Sequence, residues 1–258
     1  VKMLHYKYKM STYRHLNKNI YEYESIDQIN LDVKNAAKII SCQNCIIVKN
    51  VLKKGYCNKA IKYLERISKN SFPNYHPLTK NTPNHFRLNY EDSRASVKGY
   101  FMQFNIFIKN QDILDTAGFF RDIFKLKDQL SHELSNRTIK FDSMRTSDNF
   151  ISRVGYQFYQ SGKGYLEGHR DFVGDNQRVV PSLVLSKKGK DFKSGGFYLR
   201  KDNGEFCYPE EYVEKGDIIL FRPDLFHGVE IIDKELINAN DEKFHGRWMA
   251  FITTTKTT

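Results

Sequence analysis

Apolar residues along this chain change their spacing near position 150. Before it, helical spacing dominates. Asp27 to Ile40 carries spaced apolar positions behind an aspartate suited to a helix N-terminus. Cys57 to Ser68 puts Ala60, Ile61, Leu64 and Ile67 on one helical face, and Asp112 to Leu134 repeats the spacing through Phe119, Phe120, Ile123, Phe124 and Leu130. Cys45 to Val51 and Val97 to Ile108 read as strands, and Phe72 to Asn84, rich in Pro and Asn, reads as a loop. After 150, strand-like runs follow one another: Ile151–Gln160, Arg178–Ser186, Gly195–Arg200, Gly216–Phe221, Gly228–Ile232 and Arg247–Thr255, punctuated by Gly, Pro, Asp and Asn. Helices first and strands after predict an α+β, mainly β fold. Its jelly-roll core would take the N-terminal helices on one sheet and leave the opposite face to line a pocket. We assign residues 1–258 to a single domain, with a basic, solvated extension over 1–20, a helical annex over 21–96 and the β core over 97–256.

Composition narrows the function classes. Hydrophobic residues make up 40% of the 258 positions and aromatics 14%, which suits a globular chain and not a disordered one. No apolar run is long enough to span a membrane, and no secretory signal is visible. Four cysteines without a disulfide framework fit a reduced, intracellular setting, taken here as cytoplasmic. Cys42 and Cys45 form a Cys-x-x-Cys, but a zinc site needs about four ligands and no second close pair exists. Cys45 therefore reads as a small hydrophobe in a buried strand. The net charge of +11 favours anionic partners. The lysines are scattered, not gathered into a helix or arm, which favours a small polyanion over nucleic acid. A monomer or a homodimer fits equally.

Two histidines and an aspartate change the picture. His169 and Asp171 are two positions apart, so an extended segment would point both the same way. His227 lies in a later strand-to-turn segment that a sheet can bring alongside. Two imidazoles and one carboxylate make the 2-His-1-carboxylate triad, which holds Fe(II) on one face and leaves the other positions open.

The surrounding order extends the pattern. Tyr159-x-x-Gly162-x-Gly164-Tyr165 precedes the first histidine, and Gly195-Gly196-Phe197 follows the pair. Glu214-Lys215-Gly216-Asp217-Ile218-Ile219-Leu220-Phe221 leads into Phe226-His227-Gly228-Val229, and Arg247 opens the last strand. Over residues 97–256 this order resembles the Fe(II)/2-oxoglutarate-dependent oxygenase superfamily. The resemblance implies a double-stranded β-helix (a jelly-roll or cupin-like core) and a dioxygenase that uses Fe(II), 2-oxoglutarate and O2. It makes His169, Asp171 and His227 the metal ligands and Arg247 the partner of the distal co-substrate carboxylate, a task that suits a planar guanidinium fork. Arg247 follows His227 by a longer interval than the family shows, so Asp233 to Lys243 reads as an inserted loop, with Arg222 as the fallback. An aspartate at 171 argues against the related halogenases, which keep a small residue there.

The resemblance also gives Tyr159 to the co-substrate. If Tyr159 points inward, alternation turns Gln157, Gly155 and Arg153 inward and packs Val154, Tyr156 and Phe158 on the helices. In the earlier strand, Gln103 and Asn105 share a face with Phe101 and Phe107. Arg153, Gln157, Gln103, Asn105, Arg87 and Lys98 are the candidate substrate-binding residues, with His85, Arg94 and Arg178 near the mouth. They suit a small, carboxylate-bearing, amino-acid-like acid. The stretches His85-Phe86-Arg87 to Asn105 and Val180-Pro181-Ser182 to Gly189 are similar to small-molecule oxygenases of secondary metabolism, kainoid synthases among them, which implies hydroxylation or oxidative cyclisation. Two alternatives stay open: a nucleic-acid or protein oxygenase or demethylase of the same superfamily, and a non-catalytic jelly-roll binding module.

Overall fold

The structure, a computed structural model, describes residues 13–135, 141–145, 149–174, 176–236 and 244–257. Strands β1 (Arg14–Asn17) and β2 (Ile20–Tyr23) open the described chain, followed by helices α1 (Ile26–Asn30) and α2 (Val33–Ser41) and strand β3 (Cys45–Val48). Helix α3 (Lys54–Asn70) leads to β4 (His85–Tyr90), β5 (Gly99–Phe107), α4 (Thr116–Phe119) and α5 (Arg121–Ser135). The remaining strands are β6 (Phe150–Gln160), β7 (Tyr165–His169), β8 (Val180–Val184), β9 (Gly196–Arg200), β10 (Phe206–Cys207), β11 (Ile218–Phe221), β12 (Phe226–Glu230) and β13 (Gly246–Lys256).

The strands form one hydrogen-bonded path, β1-β2-β3-β11-β8-β13-β6-β5-β7-β12-β9-β10, with β4 added on β5. Strand β5 meets β7 through the pairs Gly99↔Leu166 and Tyr100↔Tyr165. Side-chain alternation then separates two cores. Outward residues of the larger sheet, among them Phe104, Val154, Tyr156, Leu220 and Ala250, pack with Ile40, Leu64, Ile123 and Phe124 of the helices. Inward residues such as Phe101, Tyr159, Val184, Ile219 and Met249 meet Phe197, Leu199 and Val229 from β9 and β12. The second core lies between two sheet faces, the arrangement of a jelly roll.

Several elements differ from the sequence expectation. The solvated extension expected over 1–20 is in part strand: β1 pairs with β2, β2 runs parallel to β3, and Ile20 and Tyr23 are fully buried. Residues 1–12 of that extension lie outside the described residues. The helix expected over Asp27–Ile40 is two, broken at Leu31–Asp32. The first is capped by Ser25, whose hydroxyl accepts the Gln28 N–H at 3.2 Å, and not by Asp27. Of the expected inserted loop Asp233–Lys243, residues 234–236 form one 3-10 turn and 237–243 lie outside the described residues. Cys45 is buried on β3 with its Sγ 3.8 Å from Cys207 Sγ, while Cys42 is exposed. No helix among the described residues is long and apolar enough to cross a membrane.

Candidate active site

His169 ends β7 and His227 sits opposite it on β12, so one antiparallel pair brings both rings together, with centroids 4.3 Å apart. Asp171 follows two residues later on the loop leaving β7, where its N–H donates to the Pro223 carbonyl at 2.8 Å. The buried Lys127 ammonium fastens the far side of that loop, donating to the Asn176 carbonyl at 2.8 Å and to Ser143 Oγ at 3.0 Å. The two carboxylate oxygens of Asp171 then face the two rings: Oδ1 is 3.5 Å from His169 Nε2 and Oδ2 is 3.6 Å from His227 Nε2.

The tautomers are set from behind. His169 Nδ1–H donates to the Glu167 carbonyl at 2.9 Å and His227 Nδ1–H to the Leu225 carbonyl at 2.7 Å. Each ring therefore turns its Nε2 toward the space beside Asp171. Ligand atoms of the three residues all lie within 4.8 Å of one another, and no other such cluster occurs among the described residues. Burial disfavours protonation of His169, but Asp171 and the Glu167 carbonyl outweigh it and raise its pKa. Burial also works against ionised Asp171, and its two histidine partners overcome that and hold it well below the usual carboxylate range. Two imidazoles and an ionised carboxylate suit a borderline cation such as Fe(II).

A cavity of about 620 Å³ opens from this cluster. Arg247 lies at its inner end, 2% exposed, on β13 directly opposite Tyr159 of β6, with its guanidinium 5.2 Å from that ring's centroid. Arg247 Nε donates to Glu210 Oε1 at 2.7 Å, while Nη1 is buried without a partner. An orphaned, charged donor costs roughly 1–3 kcal/mol or more unless a ligand supplies the acceptor. A carboxylate is the acceptor that matches a free guanidinium edge. Burial pushes the Tyr159 phenol far up, although Arg247 opposes this, so it stays protonated and donates to Gln157 Oε1 at 2.7 Å.

Glu210 escaped the sequence reading. It sits on a 3-10 turn (Pro209–Glu211), and its Oε2 accepts the Phe197 N–H at 2.8 Å. Gly196 makes room for it: with φ at +111°, a Cβ there would run into Glu210 Oε2. Two separate features of the Gly195-Gly196-Phe197 motif thus seat the acid that orients Arg247. Gly196→Ala is expected to lower stability by roughly 1–3 kcal/mol, read as a drop in thermal midpoint. An unchanged midpoint would show that the glycine is not needed there.

Toward the mouth the cavity is basic. Arg87, Arg94, Arg153 and Lys256 line it along with Arg247, against Asp171 as the one lining carboxylate among the described residues. Arg153 has no carboxylate partner among the described residues, whereas Arg87 feels the charge of Asp92 but keeps a buried Nε without a hydrogen-bond partner. Burial, then the neighbouring Arg87, push the Arg153 pKa down to about 10. Tyr75 lies under the guanidiniums of Arg87 and Arg94, at 5.9 and 5.1 Å, and Phe172 is 87% exposed at the opening.

The structure brings His169, Asp171, His227, Arg247, Tyr159, Arg153, Gln157, Gln103 and Arg87 to this one cavity. Five other sequence candidates stand outside its lining, His85 among them. Asn105 is buried behind Gln103, which donates to it at 2.8 Å. Lys98 is at the surface just before β5, 3.7 Å from Glu91. Arg222 pairs with Asp224 at 2.5 Å. Arg178 is also outside the lining. Tyr75, Phe172 and Lys256 are lining residues the sequence reading omitted. The first two lie in segments without regular periodicity, where nothing local signals a cavity.

No family model and no curated protein matches this chain. Solved structures do. A prolyl-4-hydroxylase from Pseudomonas putida superposes with a TM-score of 0.51 at 12% identity, covering 87% of this chain and 98% of its own. A prolyl hydroxylase from Trichoplax adhaerens, in complex with a hypoxia inducible factor peptide, gives 0.51 at 14% identity over 89% and 91%. The non-heme alpha-ketoglutarate-dependent epimerase SnoN of nogalamycin biosynthesis gives 0.51 at 10% identity over 88% and 84%. The chain has the fold of the 2-oxoglutarate- and Fe(II)-dependent oxygenases.

Proposed function

We propose that this protein is a non-haem Fe(II)/2-oxoglutarate-dependent oxygenase that oxidises a C–H bond of a small, carboxylate-bearing, amino-acid-like substrate. The carrying observation is the pairing of two features in one cavity: the His169–Asp171–His227 cluster, and the buried guanidinium edge of Arg247 with an unpartnered N–H. His169, Asp171 and His227 would hold the metal, and Arg247 with Tyr159 the far carboxylate of the co-substrate. Bound iron and 2-oxoglutarate supply the activation of O2 and the oxidising power for C–H cleavage. The chain's residues supply the rest. Glu210 fixes the guanidinium, the Glu167 and Leu225 carbonyls aim the imidazoles, and Phe197, Phe221 and Val229 line the cavity beside the histidines with apolar surface. Excess positive charge at the mouth raises the local concentration of an anion and orients it.

Arg153 and Arg87 would receive the acidic groups of the substrate. The Arg153 guanidinium without a carboxylate partner and the unbonded Arg87 Nε support that reading, and SnoN, a small-molecule enzyme, is among proteins of this fold. The resemblance to kainoid synthases makes N-prenylated glutamates, and pyrrolidine ring closure, the first chemistry to try. The test is a screen of amino-acid-like acids for substrate-dependent succinate release, with product masses. Gain of one oxygen means hydroxylation, and loss of two hydrogens means cyclisation or desaturation. No release with any acid, alongside binding of oligonucleotides or peptides, would reject the proposed substrate class. With an active acid in hand, Arg153→Leu is expected to raise its KM about tenfold or more, since a hydrogen bond to a charged group is worth roughly 1.5–3 kcal/mol. Substrate-free conversion of 2-oxoglutarate should be kept. An unchanged KM would remove Arg153 from substrate recognition.

A further inference from the structure

The sheet face leading away from Tyr159 is polar where an interior face is ordinarily apolar. Gln157, Gln103 and Asn105 are all buried on it. Their side chains form one chain of hydrogen bonds with a single direction. Tyr159 O–H donates to Gln157 Oε1 at 2.7 Å, and Gln157 Nε2 donates to Gln103 Oε1 at 3.1 Å. Gln103 Nε2 donates to Asn105 Oδ1 at 2.8 Å, and Asn105 Nδ2 meets His85 Nε2 at 3.1 Å. Cross-strand register produces the row: His85 faces Asn105, and Gln103 faces Gln157.

The far end sets the direction. His85 Nδ1 lies 2.8 Å from the Pro83 carbonyl, an acceptor only, so Nδ1 carries the proton. Nε2 of the neutral ring is then the acceptor on which the chain ends. A carboxamide has one donor end and one acceptor end, so each bond dictates the orientation of the next amide.

We propose that His85 is a remote positioning residue for the co-substrate end of the cavity: through Asn105, Gln103 and Gln157, its protonation state sets which way the Tyr159 hydroxyl points its proton. The proposal rests on the reading of Tyr159 and Arg247 as that end. With His85 neutral, Tyr159 gives its proton to Gln157 and offers only lone pairs to the cavity. Protonated His85 carries N–H groups on both nitrogens, and Nε2–H cannot face the Asn105 amino group. Asn105 turns over to present Oδ1. Gln103 and Gln157 follow, and Gln157 then presents its amino group to the Tyr159 oxygen. The phenol proton is released to bond a carboxylate in the cavity. The added proton stays on His85, and no covalent bond between heavy atoms changes.

The groups facing His85 place the switch on the acid side. The His76 ring is 4.8 Å away and Phe107 5.9 Å, and Arg153 and Arg87 lie close enough to repel a second charge. Burial first, then His76 and the two arginines, lower its pKa below the ordinary value, with the Pro83 carbonyl opposing them. A depressed histidine pKa also carries a stability cost. The fold favours neutral His85, so that contribution is present above the unfolded pKa of about 6.5 and fades as pH falls through the folded value.

Two measurements on the full chain test the relay. Side-chain amide signals of Gln103, Asn105 and Gln157 are followed by 15N NMR while pH is lowered through the His85 midpoint. All three are expected to shift together at that midpoint, and none to respond there in His85→Phe. A response confined to Asn105 would overturn the proposal, since the chain would then break at its first link. Affinity of the anaerobic Fe(II) enzyme for 2-oxoglutarate is the second. Below the midpoint the wild type should bind several-fold more tightly than His85→Phe at the same pH, and in aerobic turnover the KM for 2-oxoglutarate should move and kcat should not. His85→Lys, a permanent donor, should hold the tighter affinity across the range. Identical pH courses in the wild type and His85→Phe would overturn the relay. Absence of 2-oxoglutarate binding at any pH would instead defeat the co-substrate reading, and the amide signals would still decide the relay.

Discussion

Arg247→Leu is expected to raise the 2-oxoglutarate requirement by roughly 10²- to 10⁴-fold and to destabilise the fold by about 3–5 kcal/mol. The first figure follows from losing two hydrogen bonds between charged groups in a buried setting, at roughly 1.5–3 kcal/mol each. The second follows from Glu210. Its carboxylate is buried, bonded to Arg247 at 2.7 Å and to the Phe197 N–H at 2.8 Å. Removing the guanidinium strands a buried charge, and breaking a buried pair from one side carries a penalty of about that size. The two effects separate in the double variant. Arg247→Leu with Glu210→Leu removes both charges, so the thermal midpoint should recover most of the loss while 2-oxoglutarate binding stays lost. If the single variant binds the co-substrate normally, the guanidinium edge serves only the ion pair and the cavity needs another reading.

His227→Ala is expected to abolish 2-oxoglutarate conversion. Loss of residues that merely orient a metal ligand typically costs about 10–100-fold in affinity or activity, so loss of a ligand should exceed that and leave turnover at background. The fold should survive. The ring packs beside Phe221 and Phe197 with centroids 5.0 and 6.3 Å away, so its removal opens a small cavity in a core whose other members are unchanged. Succinate formation and a thermal melt on the same preparation separate loss of chemistry from loss of structure. Residual turnover within tenfold of wild type would remove His227 from the metal site.

Much of this centre was legible in the sequence, for identifiable reasons. His169, Asp171, His227 and Arg247 lie on or beside strands whose order along the chain is their order in the pattern, so motif spacing carried them. Period-2 alternation in β6 turned Arg153, Gln157 and Tyr159 inward and Val154, Tyr156 and Phe158 onto the helices, as the two cores now show. Strand register was not legible. Nothing local says that His85 faces Asn105, a pairing that ties Asn105 and the cavity-lining Gln103 into one row of hydrogen bonds. Nor does anything in Pro209-Glu210-Glu211 say which glutamate turns inward. Glu210 is buried because Gly196 leaves a space 14 residues earlier, a relation visible only once β9 and the turn are packed. Strand β7 went unread because Glu167-Gly168 interrupts its apolar run. Strand β1 looked like a solvated terminus, and β2 at the start of the expected annex went unread, because Arg14, Lys18 and Glu22 mask two short runs whose pairing depends on β3.

The most direct test of the centre is anaerobic metal stoichiometry. Purified protein stripped of metal is equilibrated with Fe(II) and bound iron is counted, with and without 2-oxoglutarate. One iron per chain is expected in the wild type, held more tightly with the co-substrate present, and none in His169→Ala, Asp171→Ala or His227→Ala. Equal iron in the wild type and all three variants would contradict the account.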